Sequence, residues 1–191
     1  MATKGHLFII SGPSGAGKST ILSAILKKRP QLRYSISYTT RLPRGNEENG
    51  VDYHFVSEAV FRKKIDEGEF AEWAEVHGYL YGTSATYIEE VLARGLDILF
   101  DIDVQGEKRL SAKYPEAISV FITPPDMEEL EKRLLKRGAD SPAAIQRRLK
   151  NAKAEVAQAH DYNHVVVNDD LVQTVSELES IIEQASSARV L

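Results

Sequence analysis

The chain has 191 residues, of which 42% are hydrophobic and 27% charged, and its formal net charge is −4. This composition is typical of a globular protein and argues against a broad nucleic-acid-binding surface. The absence of cysteine excludes disulfides, thiolate metal sites and cysteine nucleophiles. Apolar runs reach only about four residues, against the roughly 18 that a membrane-spanning helix needs. We therefore expect a cytoplasmic protein with no membrane or nucleic-acid partner.

Apolar strands and amphipathic helices alternate along much of the chain. Strands are predicted at His6–Ser11, Leu96–Asp101, Ala117–Ile122 and His164–Val167. A helix is predicted at Ser19–Lys28, and an amphipathic C-terminal helix that runs through Leu171 to Ile182 follows the last strand. This alternation is typical of an α/β domain with a mainly parallel sheet.

Two stretches depart from that alternation. Residues 33–83 carry short β-forming segments with polar turns, the first at Tyr34–Tyr38, around a predicted helix at Glu58–Glu67, which indicates a small, mostly antiparallel β insertion. Residues 126–160 are basic and helical, and Ser141-Pro142 has the pattern of an N-cap and first helical residue. We interpret them as a hairpin that forms a mobile lid. We therefore expect the chain to form one domain, 1–191, whose nucleotide-binding core consists of 1–32, 84–125 and 161–191.

A glycine-rich segment between the first strand and the first helix matches G-x-x-x-x-G-K-[ST]. Its backbone N–H groups and the following helix N-terminus suit a triphosphate, Lys18 would reach the outer phosphates, and the Ser19 hydroxyl would bind Mg²⁺ directly. The alternative is a chance turn. The predicted ATP-binding residues here are Gly12, Pro13, Ser14, Gly15, Ala16, Gly17, Lys18, Ser19 and Thr20.

Two acids follow the second predicted strand. In P-loop proteins an acid at such a strand end can hold Mg²⁺ through water, and we predict this role for Asp101. Asp103, two residues on, would share its face if the chain stays extended. The alternative is ordinary solvation of a strand end.

Arginines and hydroxyl residues are concentrated in the β insertion. Arg41 and Arg44 lie three residues apart, near Ser37 and Tyr53. Guanidinium groups bind phosphate oxygens in pairs, and hydroxyls add directional donors, so this block could hold a phosphate. The alternative is a solvated loop with charged side chains.

The same block carries a family resemblance. Every fixed position of T-[ST]-R-x2-[KR]-x2-[DE]-x2-[GA]-x2-Y-x-[FY], the signature of guanylate kinases, is matched by Thr39, Thr40, Arg41, Arg44, Glu47, Gly50, Tyr53 and Phe55. Further agreement covers essentially the whole chain, at Ser11–Gly15, Phe70–Trp73, Tyr81–Thr83, Asp101–Gly106 and Val167–Asp170. The chain thus resembles guanylate kinases. The resemblance implies a P-loop NTPase-type parallel sheet core, an inserted mixed or antiparallel β subdomain that binds GMP, and a helical lid.

The resemblance also implies roles for the insertion. In guanylate kinases the GMP phosphate is bound in a pocket whose residues match Ser37, Arg41, Arg44, Tyr53 and Tyr81. The guanine edge is read by the residue matching Glu72, helped by those matching Thr83 and Asp103, and Asp101 is assigned to the same GMP-binding set. At position 79 this chain has Tyr where the family commonly has Asn, so any role of that asparagine is not carried over.

Lid arginines complete the catalytic set implied by the resemblance, which is Lys18, Arg41, Arg133, Arg137 and Arg148. Neighbouring helical residues point about 100° apart, so of the pair 147 and 148 one is expected to reach the site, and Arg148 is chosen by resemblance. The alternative for the arginines at 133 and 137 is a solvated helix face, with Glu129 as an ion-pair partner.

Asn168 matches an asparagine that lies near the ATP adenine in the family. The implied reaction is ATP + GMP giving ADP + GDP by direct in-line transfer, with Mg²⁺ as cofactor and the two nucleotides as partners. A homo-oligomer is compatible with the sequence. Two alternatives stay open: a scaffolding domain that holds phosphopeptides in the monophosphate cleft, and a P-loop kinase for another monophosphate.

Overall fold

The computed structural model describes residues 4–76, 78–136 and 141–187. It shows an α/β protein with parallel β-sheet structure, a smaller mixed sheet and, in these ranges, seven α-helices. The chain divides into two compact units. Unit 1 comprises Met1–Leu7, Gln31–Phe100 and Gln105–Ala117, and unit 2 comprises Phe8–Pro30, Asp101–Val104 and Ile118–Leu191.

The strands are β1 (Leu7–Ser11), β2 (Arg33–Tyr34), β3 (Tyr38–Thr39), β4 (His54–Phe55), β5 (Phe70–Val76), β6 (Tyr79–Ser84), β7 (Ile98–Asp101), β8 (Ile118–Thr123) and β9 (His164–Val167). The α-helices are α1 (Lys18–Lys28), α2 (Glu58–Asp66), α3 (Ala85–Ala93), α4 (Val104–Lys113), α5 (Met127–Lys136), α6 (Pro142–Val156) and α7 (Leu171–Ser187). A short 3₁₀ turn at Ala159–Asp161 follows α6.

Unit 2 contains parallel strands whose apolar residues lie in a core. Strand β8 pairs in parallel with β1 on one side and with β9 on the other. All five residues of β1 are buried, as expected for a strand that is covered on both faces. Helices α1 and α7 bury apolar faces and are joined by ion pairs, Lys28 with Glu179 at 2.7 Å and Arg29 with Glu183.

The basic helical segment of unit 2 forms the expected pair of packed helices. Helices α5 and α6 share an apolar cluster, which consists of Leu130, Leu134, Ile145, Leu149 and Ala152. The backbone N–H of Ala144 donates to the Ser141 hydroxyl, and Pro142 begins α6, which confirms the predicted start of that helix. At the start of α5, the backbone N–H of Glu129 donates to the Asp126 carboxylate at 2.7 Å.

Unit 1 contains a mixed sheet in the order β4-β3-β6-β5. Strands β3 and β4 are parallel, whereas β6 runs antiparallel to both β3 and β5. Phe61, Phe70 and Leu80 form the core beneath it. The predicted segment 34–38 is divided: Arg33–Tyr34 pairs in parallel with β7, and only Tyr38 begins the mixed sheet.

Two smaller details complete the fold. The predicted strand at Leu96–Asp101 begins at Ile98, and the predicted helix at Ser19–Lys28 begins one residue earlier, at Lys18. In the described ranges, none of the helices combines the length and apolar character that crossing a bilayer requires.

Candidate active site

The phosphate loop in unit 2 is shaped by backbone conformations that glycine adopts readily. Gly12, Gly15 and Gly17 have φ values of 145°, 99° and 94°. A Cβ atom at Gly12 would lie 2.0 Å from the backbone oxygen of Ile122, so this position also lacks room for a side chain. The loop leads directly into α1, whose first-turn N–H groups form an anion-binding end.

A buried asparagine holds the middle of this loop. The side-chain amide of Asn168 donates to the Ala16 carbonyl at 2.6 Å, and its oxygen accepts from the Thr174 hydroxyl at 3.2 Å. A Cβ atom on Gly17 would lie 2.3 Å from the same amide nitrogen. Asn168 therefore supports the phosphate loop through its side chain, and its predicted position near adenine stays a prediction.

Lys18 lies beside the acid that ends β7. Its Nζ donates to the Gly12 carbonyl at 2.6 Å and lies 3.8 Å from a carboxylate oxygen of Asp101. Burial raises the pKa of Asp101, and the charge of Lys18 opposes that rise. The neighbouring Ser11 hydroxyl donates to the Ile102 carbonyl at 2.6 Å, which ties the end of β1 to the segment between Asp101 and Asp103.

A third acid belongs to this environment, although the sequence reasoning assigned it no role. Burial raises the pKa of Glu155, near the end of α6; Lys18 lowers it and Asp103 raises it further. Val156, the residue after Glu155, packs against the apolar cluster that contains Val104, and Val104 is the residue after Asp103. A half-buried acid at the end of an amphipathic helix has no local sequence signal, because its neighbours are distant in the chain.

The other residues predicted in the phosphate loop differ in their exposure. Ser14, Ser19 and Thr20 are exposed, whereas Pro13 is buried and its carbonyl accepts from the N–H of Ala16 at 3.0 Å. The exposed Ser19 hydroxyl is a suitable oxygen donor for Mg²⁺.

Helix α5 lies against the loop. Its side chains Leu130 and Leu134 are so close to Gly15 that an added Cβ would be 2.8 and 3.1 Å from them. Arg133 donates to Glu129 at 2.9 Å and to the Asn168 carbonyl at 3.0 Å, so the anticipated ion pair is present. Arg148 is half-buried and Arg147 exposed. Arg137 lies outside the described residues.

Arg41 is the centre of the arginine-rich site in unit 1. Its side chain is only 6% exposed and makes a two-pronged ion pair with Glu47, at 2.8 and 3.0 Å. Its Nε donates to the Tyr81 hydroxyl at 3.3 Å, and its guanidinium carbon lies 5.2 Å from the Tyr53 ring centroid. Hydrogen bonding to Glu47 raises the pKa of Arg41, and the same bond lowers the pKa of Glu47.

The remaining predicted phosphate ligands lie on the same insertion. Arg44 is exposed, and its backbone N–H donates to Glu47 at 2.8 Å. Ser37 is half-buried, and its carbonyl accepts from the N–H of His54 at 2.9 Å. Glu47 belongs to the signature, yet the sequence reasoning gave it no role; its three-residue spacing from Arg44 was the available signal.

A second pair of polar side chains lies on β5 and β6. Glu72 and Thr83 face each other in the strand register, are 7% and 0% exposed, and the Thr83 hydroxyl donates to the Glu72 carboxylate at 2.6 Å. Trp73, the next residue on β5, is 39% exposed, because successive strand residues point to opposite faces and Glu72 takes the inner one. The Trp73 carbonyl accepts a hydrogen bond from Arg109.

These sites occur in a chain with close relatives. The guanylate kinase family model matches residues 4–185. Guanylate kinases from Geobacter sulfurreducens and Dechloromonas aromatica are each 48% identical to the chain, covering 100% and 93% of it and 95% and 88% of their own lengths.

Solved structures agree with this relationship. The crystal structure of guanylate kinase from Anaplasma phagocytophilum has a TM-score of 0.81 at 31% identity, covering 96% of this chain and 87% of that one. Shikimate kinase from Bacteroides thetaiotaomicron shares the fold alone, with a TM-score of 0.50 at 10% identity, over 93% of this chain and 98% of that one. Since a single family model spans nearly all of its residues, the protein belongs to the guanylate kinase family.

Proposed function

We propose that the protein transfers a phosphoryl group from ATP to GMP, giving ADP and GDP. The observation that carries this proposal is the arrangement of β6, on which Tyr81 and Thr83 are two residues apart and so share a face. Tyr81 contacts Arg41, and Thr83 contacts Glu72. One strand thus links a cationic group suited to phosphate with an acidic group suited to a base edge.

The buried carboxylate accounts for a preference for guanine. Guanine presents adjacent N1–H and N2–H donors, and the two oxygens of Glu72 can accept from both. Adenine offers neither donor, so the buried carboxylate would gain no hydrogen bond from that base edge. In the structure the single Thr83 hydroxyl proton goes to Glu72, so Thr83 orients the carboxylate. Donation from Thr83 to guanine O6 requires rotation of that hydroxyl. We also include Asp101 and Asp103 in the GMP-binding set.

The GMP phosphate is assigned to the arginine-rich site. Arg41 and Arg44 supply positive charge there, and the hydroxyls of Tyr53, Tyr81 and Ser37 supply directional donors. A phosphate monoester has a second pKa of about 6, so its oxygen is already largely anionic at pH 7 and needs no general base. This chain's residues therefore act by binding, orienting and neutralising charge.

The phosphate loop is assigned to ATP, with Lys18 on the outer phosphates and Asn168 also proposed near the adenine. In the described part of the chain, no group of three or more His, Cys, Asp or Glu residues forms a metal cage. A hydroxyl and one carboxylate fit Mg²⁺, which usually keeps several waters and binds substrate phosphates. Ser19 would hold it directly and Asp101 through water. When bound, Mg²⁺ neutralises phosphate charge during transfer.

Transfer also requires protection from water, because an open site would hydrolyse ATP. We propose that the helical segment 126–160 acts as a lid, and that Arg133, Arg137 and Arg148 contact the transferred phosphates in the closed state. The insertion 33–83 is the GMP-binding part and the remaining segments are the core. The proposed compartment is the cytoplasm. The proposed partners are the two nucleotides, ATP and GMP.

A substrate panel tests the proposal. Release of ADP is measured with ATP and each of GMP, AMP, CMP and UMP, and ATP alone reports hydrolysis. We expect GMP to exceed the other acceptors by about 10⁴-fold in kcat/KM, since a buried polar group left unpaired penalises the wrong base to that extent. Equal use of AMP would indicate a kinase of other specificity, and no turnover with any acceptor would indicate a binding module.

A further inference from the structure

We propose that Glu47 is a positioning residue that determines which edge of the Arg41 guanidinium faces the phosphate of GMP. This inference rests on the proposed function of the arginine-rich site. It gives a role to Glu47, which is not among the assigned substrate-binding residues but contacts one of them, Arg41.

An arginine side chain has five N–H donors in a rigid plane. Both terminal nitrogens of Arg41 donate to Glu47, at 2.8 and 3.0 Å, and one of them also donates to the Leu42 carbonyl at 2.8 Å. Glu47 therefore occupies the end of the guanidinium. The side edge of the guanidinium, formed by Nε and Nη2, faces Tyr81, whose hydroxyl lies 3.3 Å from Nε.

This second edge is the one suited to phosphate. Two parallel N–H groups along one side of a guanidinium can bind two oxygens of the same phosphate. Tyr81 lies at that edge and adds a hydroxyl donor. The aromatic rings of Tyr53 and Phe55 lie 5.2 and 5.8 Å from the guanidinium carbon and limit its rotation. While Glu47 holds the adjacent Nη1–Nη2 end, Arg41 presents the Nε–Nη2 edge toward Tyr81.

Glu47 also joins Arg41 to the loop that carries Arg44. The carboxylate oxygen that accepts from Nη1 of Arg41 accepts from the Arg44 backbone N–H at 2.8 Å, and the N–H of Glu47 donates to the Arg44 carbonyl at 3.0 Å. One carboxylate thus closes the turn between the two arginines. Its side chain is 25% exposed against 6% for Arg41, so it shields the arginine from solvent on this side.

The test measures GMP binding and turnover in Glu47→Ala and Glu47→Gln. Loss of a hydrogen bond to a charged group typically changes binding about 10- to 100-fold. We expect Glu47→Ala to raise KM and Kd for GMP by that factor, with kcat and KM for ATP within about fivefold of the parent. Glu47→Gln keeps one acceptor oxygen and should show a smaller effect in the same direction.

A double-mutant cycle separates positioning from a general structural role. In an Arg41→Ala background, Glu47→Ala should change KM for GMP by less than about twofold, because the residue it positions is already absent. Glu48→Ala is the matched control, as it removes the same charge from the next, exposed residue and should leave kinetics unchanged. Thermal unfolding and ATP binding verify that each variant is folded.

Three results would overturn the inference. The first is an unchanged KM for GMP in Glu47→Ala, and the second is a lowered KM, which would make Glu47 a competitor of phosphate. The third is an equal effect of Glu47→Ala on KM for GMP with and without Arg41. The activity of the parent protein tests the proposed function separately. If the parent does not phosphorylate GMP, the proposed function fails; if it does and the Glu47 variants behave like Glu48→Ala, only the positioning role fails.

Discussion

The phosphate loop of unit 2 and the arginine-rich site of unit 1, both assigned to phosphate groups in the proposed function, are constructed by different means. In the loop, backbone N–H groups form the cradle, and glycines at positive φ shape it. In the arginine-rich site, a buried guanidinium is held by Glu47, Tyr81 and Tyr53. The shape of the loop therefore depends mainly on backbone conformation and on few side chains. The arginine-rich site depends on a network in which each side chain fixes another.

Lys18→Ala should have the largest effect and tests how far the loop relies on a side chain. Removing a charge from the transferring phosphates in a dry site should lower kcat by about 10³-fold or more. Folding should change little, because Lys18 is replaced at the start of α1 by a good helix former. Steady-state kinetics and thermal unfolding measure both quantities.

Lys27→Ala is the control for that variant, since it removes an exposed lysine from the last turn of the same helix. It should retain full activity. Near-parental turnover in Lys18→Ala would show that the backbone cradle suffices and would remove the assignment of this lysine.

Glu72→Ala should have the next largest effect, and this effect should be confined to the enzyme's choice of acceptor base. The ratio of kcat/KM for GMP over AMP should fall by about 10³-fold or more, because the base-reading carboxylate is lost. ATP binding, measured by titration without acceptor, should be unaffected. Glu75→Ala, on the exposed face of the same strand, is the matched control. A variant that kept its preference for GMP would mean that other groups read guanine.

Asn168→Ala tests whether a side chain outside the loop maintains its cradle. The variant leaves the Ala16 carbonyl without its buried donor, which should cost about 1–3 kcal/mol in the free energy of unfolding. KM for ATP should rise about tenfold while KM for GMP stays constant. Asp169→Ala, at the exposed neighbouring position, serves as control. A proportional rise in both KM values would contradict a role limited to the loop.

Glu47→Gln should have the smallest effect on stability, and it depends on pH. The hydrogen bond from Arg41 lowers the pKa of Glu47, so the carboxylate contributes stability above its unfolded pKa of about 4.3 and loses it as pH falls through the lower folded value. At pH 7 we expect a loss of about 1 kcal/mol, and a smaller difference from the parent as pH drops below about 4.

Urea unfolding at pH 7 and in the acidic range measures that difference, with Glu48→Gln as control. A difference that stayed constant down to the acid limit would assign the effect of Glu47 to packing rather than charge.

The phosphate loop was predictable because its chemistry is local. Eight consecutive residues set the turn, the lysine and the helix start, and the structure shows them running from the end of β1 into the first turn of α1. The helical hairpin was predictable for the same reason, since the cap at Ser141 and the apolar spacing of α6 are read within one segment. Membership of the family followed from ordered motifs along the whole chain.

Other features depend on residues that are far apart in the chain. Asn168 meets Ala16 across 152 positions, and Arg41 meets Tyr81 across 40, so neither contact leaves a pattern in any short window. The segment 34–38 looked like one strand, yet its halves pair with different partners, because strand pairing is chosen by the register of distant segments. Local sequence patterns identified the groups that we assign to phosphate, whereas the partners that hold those groups in place were specified by packing between segments distant in sequence.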